Sequence, residues 1–185
     1  MGHIVLDIGH ANGTGARGNG QEEHDLCVKV AEQLKVALAK VGHKVTVLDY
    51  PNLSNTADLN QTIKAANALK NVDFGISLHM DAFTNPNAKG AHVCHYPSVS
   101  SKRIARAIAD SLTAYMPGRA NKIVARRDLA ILKRTTKPWA LIELGFITSK
   151  VDIEKLMDNP NTSDNELQPL IKALVKGINK ASEGN

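Results

Sequence analysis

The sequence lacks several features that would assign it to particular classes of protein. No apolar run in its 185 residues approaches the roughly 18 that a membrane-spanning helix needs, so we expect no membrane insertion. The first residues, Met1 to Asp7, show no basic region followed by a long apolar stretch, and therefore no secretory signal. Only two cysteines are present, Cys27 and Cys94. Two cysteines do not make a disulfide scaffold, and we expect both to be small core residues.

Aromatic residues are also scarce, at 4% of the chain, which is thin for stacking on single-stranded nucleic acid. The basic residues are scattered rather than clustered, so we predict no nucleic-acid partner. There are 23 basic and 18 acidic residues, which gives a net charge of +5. This excess favours some other anionic partner, or it means only that the protein is basic.

What the sequence does contain is an alternation of strand-like apolar runs with helical patterns. Such an alternation predicts an α/β protein, with a mostly parallel twisted sheet and helices on both faces. We expect one domain over residues 1–181 and a C-terminal tail at 182–185. Residues 159–164 read as a polar turn between helices. The predicted strands are 5–8, 44–48, 74–78, 91–96, 129–132 and 139–144, and the predicted helices are 22–41, 57–69, 102–115, 151–157 and 166–180.

Residues suited to chemistry follow several of these strands. In parallel sheets, functional groups collect at the carboxyl ends of the strands. His10 lies just past the first strand, His79 ends the third, and Glu143 lies near the end of the last. Glu23 opens the first helix, whose N-terminus faces the same edge. We therefore expect these four side chains to meet at one edge of the sheet.

Two imidazoles and one carboxylate, here His10, His79 and Glu23, make a three-ligand zinc site with water in the fourth position. Zinc lowers the pKa of that water to about 7. A further carboxylate must take its proton, and Glu143 fits because burial in an apolar strand raises its pKa. Taken singly, either histidine could be a solvated side chain, and Glu23 could simply complement the helix dipole. Their convergence on one edge favours a catalytic site with one Zn²⁺ per chain.

These residues lie in segments that resemble the motifs of the zinc-dependent N-acetylmuramoyl-L-alanine amidases, the family found in bacterial cell-wall hydrolases and phage lysins. The resemblance implies that His10, Glu23 and His79 hold the metal and that Glu143 is catalytic. In that alignment Glu23, not Glu22, is the ligand. The four segments, which occur in the family's order, are Ile4–His10, Gly18–Leu26, Ser77–Ala82 and Leu141–Ser149.

The resemblance also implies what the enzyme does. Water activated by zinc would hydrolyse the amide between N-acetylmuramic acid and the L-alanine of peptidoglycan stem peptides, with Glu143 as general base and acid. Peptidoglycan would be the partner, together with anionic wall polymers. The missing signal suggests release from the cytoplasm as a phage lysin, or excision from a larger wall hydrolase. Two departures from the family pattern, Asp81 for a common asparagine and Thr62 for a common arginine, concern substrate geometry rather than the metal.

Three other functions remain open at this stage. Gly13, Gly15 and Gly18 match the dinucleotide-binding pattern G-x-G-x-x-G, and Asp49 ends the next strand. However, that pattern should open a helix directly, and here the helical pattern begins several residues later. A different zinc peptidase, of the carboxypeptidase or aminopeptidase type, would use similar ligands. A wall-binding module without catalysis would have no need of Glu143 in an apolar strand.

Overall fold

The computed structural model describes residues 1–85, 87–157 and 168–184. None of the described helices is long and apolar enough to cross a membrane. The strands of the protein are β1 (His3–Ile8), β2 (Arg17–Gly18), β3 (Gln21–Glu22), β4 (Lys44–Leu48), β5 (Phe74–Asp81), β6 (His92–His95), β7 (Ile123–Ala125) and β8 (Trp139–Phe146). Its helices are α1 (Glu23–Lys40), α2 (Asn55–Ala68), α3 (Val99–Tyr115), α4 (Ala130–Arg134), α5 (Lys150–Leu156) and α6 (Gln168–Ser182).

Six strands form one sheet in the order β4-β1-β5-β8-β6-β7. Every neighbouring pair is parallel except β6 and β8, which are antiparallel. The predicted α/β fold with a mostly parallel sheet is therefore confirmed. The carboxyl ends of β1, β5 and β8 meet at one edge, which we call the site edge.

Apolar residues alternate between the two faces of the sheet because successive side chains of a strand point in opposite directions. In β1, Ile4, Leu6 and Ile8 belong to one apolar cluster and Val5 to the other. The first cluster is packed under α1, α3, α5 and α6, and we call that side the thick face. The second is covered by α2 and α4, and we call that side the thin face.

One predicted strand is wrong. The segment Leu129–Leu132 does not form a strand but leads into α4, where the amide nitrogens of Leu132 and Lys133 both donate to the carbonyl of Leu129. A four-residue apolar run does not by itself distinguish a strand from a helical turn. Here the helical turn buries Ile131 and Leu132 against the thin face.

Other boundaries differ in ways that matter for the site. The third predicted strand continues to Asp81, so that His79 lies within β5 rather than at its end. The short ribbon of β2 and β3 and the edge strand β7 were not predicted. The predicted turn at Asn159–Asp164 lies outside the described residues. Helix α6 runs to Ser182, the first residue of the predicted tail.

Candidate metal centre and catalytic site

The structure brings three of the four predicted site residues into one cluster at the site edge. One ligand atom from each of His10, Glu23 and His79 lies within 4.8 Å of the other two. The Nε2 atom of His10 is 3.5 Å from Oε2 of Glu23, and Nδ1 of His79 is 3.1 Å from its Oε1. The two imidazole rings meet edge to face, with their centroids 5.0 Å apart. Two imidazole nitrogens and a carboxylate oxygen thus lie close enough together to be ligands of one ion.

Backbone amide groups hold the carboxylate of Glu23. Glu23 is the first residue of α1 and directly follows the ribbon of β2 and β3. Its Oε2 accepts the amide N–H of Ala16 at 2.8 Å, and its Oε1 accepts that of Met80 at 2.9 Å. Burial alone would raise the pKa of Glu23, but the hydrogen bond and charge of His79, followed by the amide of Met80 and the charge of His10, keep it below the ordinary value. The neighbouring Glu22 instead pairs with Arg17 at 2.7 Å on the surface.

The loop after β1 brings His10 close to His79. His10 adopts a left-handed backbone conformation with φ of 63°, which is uncommon for a residue other than glycine. Its Nδ1 lies 3.0 Å from Oδ1 of Asn55, so Nε2 is the nitrogen turned towards Glu23. Gly9 allows this approach, since a Cβ there would stand 2.3 Å from the His79 ring.

Glu143 lies beside this cluster on the thin face. In the sheet register it is the neighbour of His79 on β5 and of His92 on β6, so the three side chains form a row across the strands. Its buried Oε2 has no hydrogen-bond partner among the described residues. Burial raises the pKa of Glu143 to about 7, with His79 opposing and Asp81 reinforcing the shift. A carboxylate with that pKa can both accept and donate a proton near neutrality.

Next to Glu143 lies a group of polar side chains around Arg119, which the sequence analysis missed. The Nη2 of Arg119 donates to Oδ2 of Asp81 at 2.6 Å, and its Nε donates to Nδ1 of His92 at 3.1 Å. The guanidinium also lies over the Phe146 ring, 4.7 Å from its centroid. Sequence reasoning treated His92 as structural or solvated, and Arg119 only followed a helix stop. The available signal was strand alternation, which puts His92 on the same face as Glu143 once β6 and β8 are paired.

The other predicted roles can be compared with the structure in the same way. Cys27 and Cys94 are free, buried thiols within the two apolar clusters, as expected. His3, His24 and His43 are buried and hydrogen-bonded to Thr46, Asp49 and Asn179.

The dinucleotide-binding alternative fits the structure poorly. Gly18 lies in β2, and β3 separates it from the first residue of α1, so the glycines do not open that helix. A Cβ at Gly18 would lie 2.6 Å from the carbonyl oxygen of Ile147, which shows that this glycine serves internal packing. Nucleotide binding would also leave the grouping of His10, Glu23 and His79 unexplained.

Comparison with known proteins gives the family of the chain. A family model described as N-acetylmuramoyl-L-alanine amidase matches residues 4–180. This chain belongs to the N-acetylmuramoyl-L-alanine amidase family. The matched range contains His10, Glu23, His79 and Glu143.

Individual relatives of this amidase-family chain are more distant. A probable cell wall amidase, LytH of Staphylococcus aureus, is 29% identical over 182 residues, which cover 95% of this chain and 56% of the relative. The chain thus spans about half the length of the curated relatives it matches. Among solved structures, the CwlD amidase of Clostridioides difficile in complex with the GerS lipoprotein has a TM-score of 0.82 at 22% identity, with 100% of both chains covered. The catalytic domain of an endolysin targeting Clostridia difficile also has a TM-score of 0.82, at 25% identity, covering 96% of this chain and 97% of that one.

Proposed function

We propose that this protein hydrolyses the amide bond between N-acetylmuramic acid and L-alanine in peptidoglycan. The observation that carries the proposal is the convergence of His10, Glu23 and His79 beside a second carboxylate, that of Glu143, whose Oε2 has no hydrogen-bond partner among the described residues. Family membership supplies the substrate class, since the family's name specifies this bond. Action at the bacterial cell wall follows from that substrate, and the net charge of +5 would help the protein stay near anionic wall polymers.

The donor set fits one Zn²⁺ ion held by His10, Glu23 and His79. Two imidazoles and one carboxylate are a ligand set that catalytic zinc favours, and a remaining position stays open. Each Glu23 oxygen already accepts one backbone N–H, which fixes the carboxylate while leaving a lone pair for a metal. Nδ1 of His10 can donate to Asn55, which leaves Nε2 unprotonated for the metal. A bound zinc ion would supply a Lewis acid that activates water and polarises the carbonyl under attack.

Glu143 would move the protons of the reaction. Its carboxylate takes a proton from the attacking water and afterwards passes that proton to the departing nitrogen of L-alanine. The pKa of about 7 suits both steps, because both the ionised and the protonated form of Glu143 are populated near neutral pH. With Oε2 free of partners among the described residues, the carboxylate can turn towards a substrate without breaking an internal hydrogen bond.

Analysis of the products tests this function. Purified peptidoglycan is digested with the protein, with and without a chelator, and the new end groups are labelled. We expect free stem peptides that begin with a new L-alanine amino terminus, intact glycan strands, and no product when the metal is removed. New reducing sugar ends would indicate a glycosidase, which uses paired carboxylates. Those ends, or new amino termini on any residue other than L-alanine, would show the proposed function to be wrong.

A further inference from the structure

The wall of the site next to Glu143 is formed by a charged pair, Asp81 and Arg119. Arg119 is fixed from three directions, by Oδ2 of Asp81, by Nδ1 of His92 and by the ring of Phe146. Fixing a long side chain in this way lowers the entropy it would lose when it contacts a ligand. Asp81 is also fixed in position. It lies on β5 two residues beyond His79, and its carbonyl oxygen accepts the amide N–H of Ile147.

This wall carries no net charge. Asp81 and Arg119 are in contact at 2.6 Å, so their opposite charges cancel within the pair. A carboxylate brought to this wall would meet the like charge of Asp81 as well as the attraction of Arg119.

The wall nevertheless offers one donor and one acceptor to a ligand. The hydrogen bonds of the pair use Nη2 and Nε of Arg119 and Oδ2 of Asp81. Nη1 of Arg119 and Oδ1 of Asp81 have no hydrogen-bond partner among the described residues. The side chains are 32% and 25% exposed, and neither atom is among the buried, unpartnered polar atoms of the described residues, so both are accessible from solvent. A primary carboxamide has a matching acceptor and donor, whereas a carboxylate has acceptors alone.

We propose that the Asp81–Arg119 pair is a specificity determinant that selects stem peptides in which the residue after L-alanine carries a carboxamide rather than a free carboxylate. This inference rests on the proposed function, because it concerns the peptide next to the bond that would be cut. Arg119 donates to the carboxamide oxygen and Asp81 accepts from its nitrogen. A free carboxylate satisfies only Arg119 and leaves Asp81 facing a like charge.

Two disaccharide–peptide fragments test the proposal, identical except that the α-carboxyl group of the residue after L-alanine is amidated in one and free in the other. Wild-type protein is expected to have a kcat/KM at least about tenfold higher for the amidated fragment, mainly through a lower KM. Asp81→Asn leaves the charge of Arg119 uncompensated, so the ratio of the two kcat/KM values should move at least about tenfold towards the free carboxylate. Zinc content and melting temperature are recorded for each variant.

Asp128→Asn is the matched control, since it removes the carboxylate from a similar pair. Asp128 binds Arg126 with the same 2.6 Å contact but lies after β7, away from the site edge. It should leave the substrate ratio unchanged. Equal kcat/KM values for both fragments in wild-type protein, or an unchanged ratio in Asp81→Asn, would overturn the inference while the proposed function stands. If wild-type protein releases L-alanine-terminated peptide from neither fragment, the proposed function fails and the inference fails with it.

Discussion

The two faces of the sheet differ in composition: the thick face carries the larger apolar cluster, whereas the thin face carries a smaller one together with polar residues of the candidate site. On the thick face, β8 contributes Ala140, Ile142 and Leu144 to one continuous apolar cluster. On the thin face the same strand contributes Trp139 and Leu141, and then Glu143 at the site edge. Because neighbouring residues of a strand point to opposite faces, one residue of β8 can contribute to the apolar core while the next residue lies at the candidate site.

The thin face changes character along its length. Near the amino ends of the strands it is apolar and covered by α2 and α4. Towards the site edge it carries Asp7, bound by the Ser77 hydroxyl at 2.6 Å, and then the row formed by His79, Glu143 and His92. The smaller helical cover on this side leaves room for polar groups that the thick face would exclude.

The largest effect is expected from Glu143→Gln. The substitution keeps the shape of the side chain but removes its ability to accept a proton. Turnover should fall about 10²- to 10⁴-fold, as for other losses of a general base, while zinc content stays near the wild-type value. Steady-state kinetics on peptidoglycan fragments measures the loss. Near-wild-type turnover would mean that Glu143 is structural.

Ile142→Ala is the control from the opposite face, one residue away along β8. Ile142 is fully buried in the thick-face cluster, so truncation should cost about 2–5 kcal/mol in the free energy of unfolding. Turnover per folded molecule should be retained. If Glu143→Gln and Ile142→Ala had the same effects on the free energy of unfolding and on turnover, the assignment of stability to the thick face and of chemistry to the thin face would be wrong.

A smaller effect is expected from Asp58→Asn on the thin face. Burial, followed by the charges of Asp7 and Asp49, raises the pKa of Asp58 from 3.8 to about 6. The folded state therefore binds more protons than the unfolded chain between these values, so Asp58 makes the free energy of unfolding fall as pH rises from about 4 to 6. Above pH 6, Asp58→Asn should be more stable than wild type by roughly 1–3 kcal/mol, with no such gain near pH 4. Denaturant unfolding with chelator present measures this, and parallel pH curves would contradict it.

Much of the fold could be predicted from local sequence. The strand Lys44–Leu48 was predicted with its observed limits, because an alternating apolar segment after Gly42 has no competing structure. The limits of β5 were missed because His79 and Asp81 look like loop residues. They remain in the strand because they pair with Glu143 and Phe146 of β8, a partner more than 60 residues away.

Sequence reasoning could propose site residues only where they lie near the carboxyl end of a strand or open a helix. His10, Glu23, His79 and Glu143 met that condition. Arg119 did not, since its role depends on Asp81, His92 and Phe146, which come from three other parts of the chain. No spacing in the sequence specifies such a contact, and only the paired strands bring the residues together.

The most direct test of the account is the zinc content of two neighbouring alanine variants, measured by elemental analysis of purified protein. The account predicts one zinc per chain in wild type, retention in Glu22→Ala and loss in Glu23→Ala. Glu22 pairs with Arg17 at the surface, whereas Glu23 lies between His10 and His79. Stoichiometric zinc in Glu23→Ala, or its loss in Glu22→Ala, would contradict the proposed metal centre.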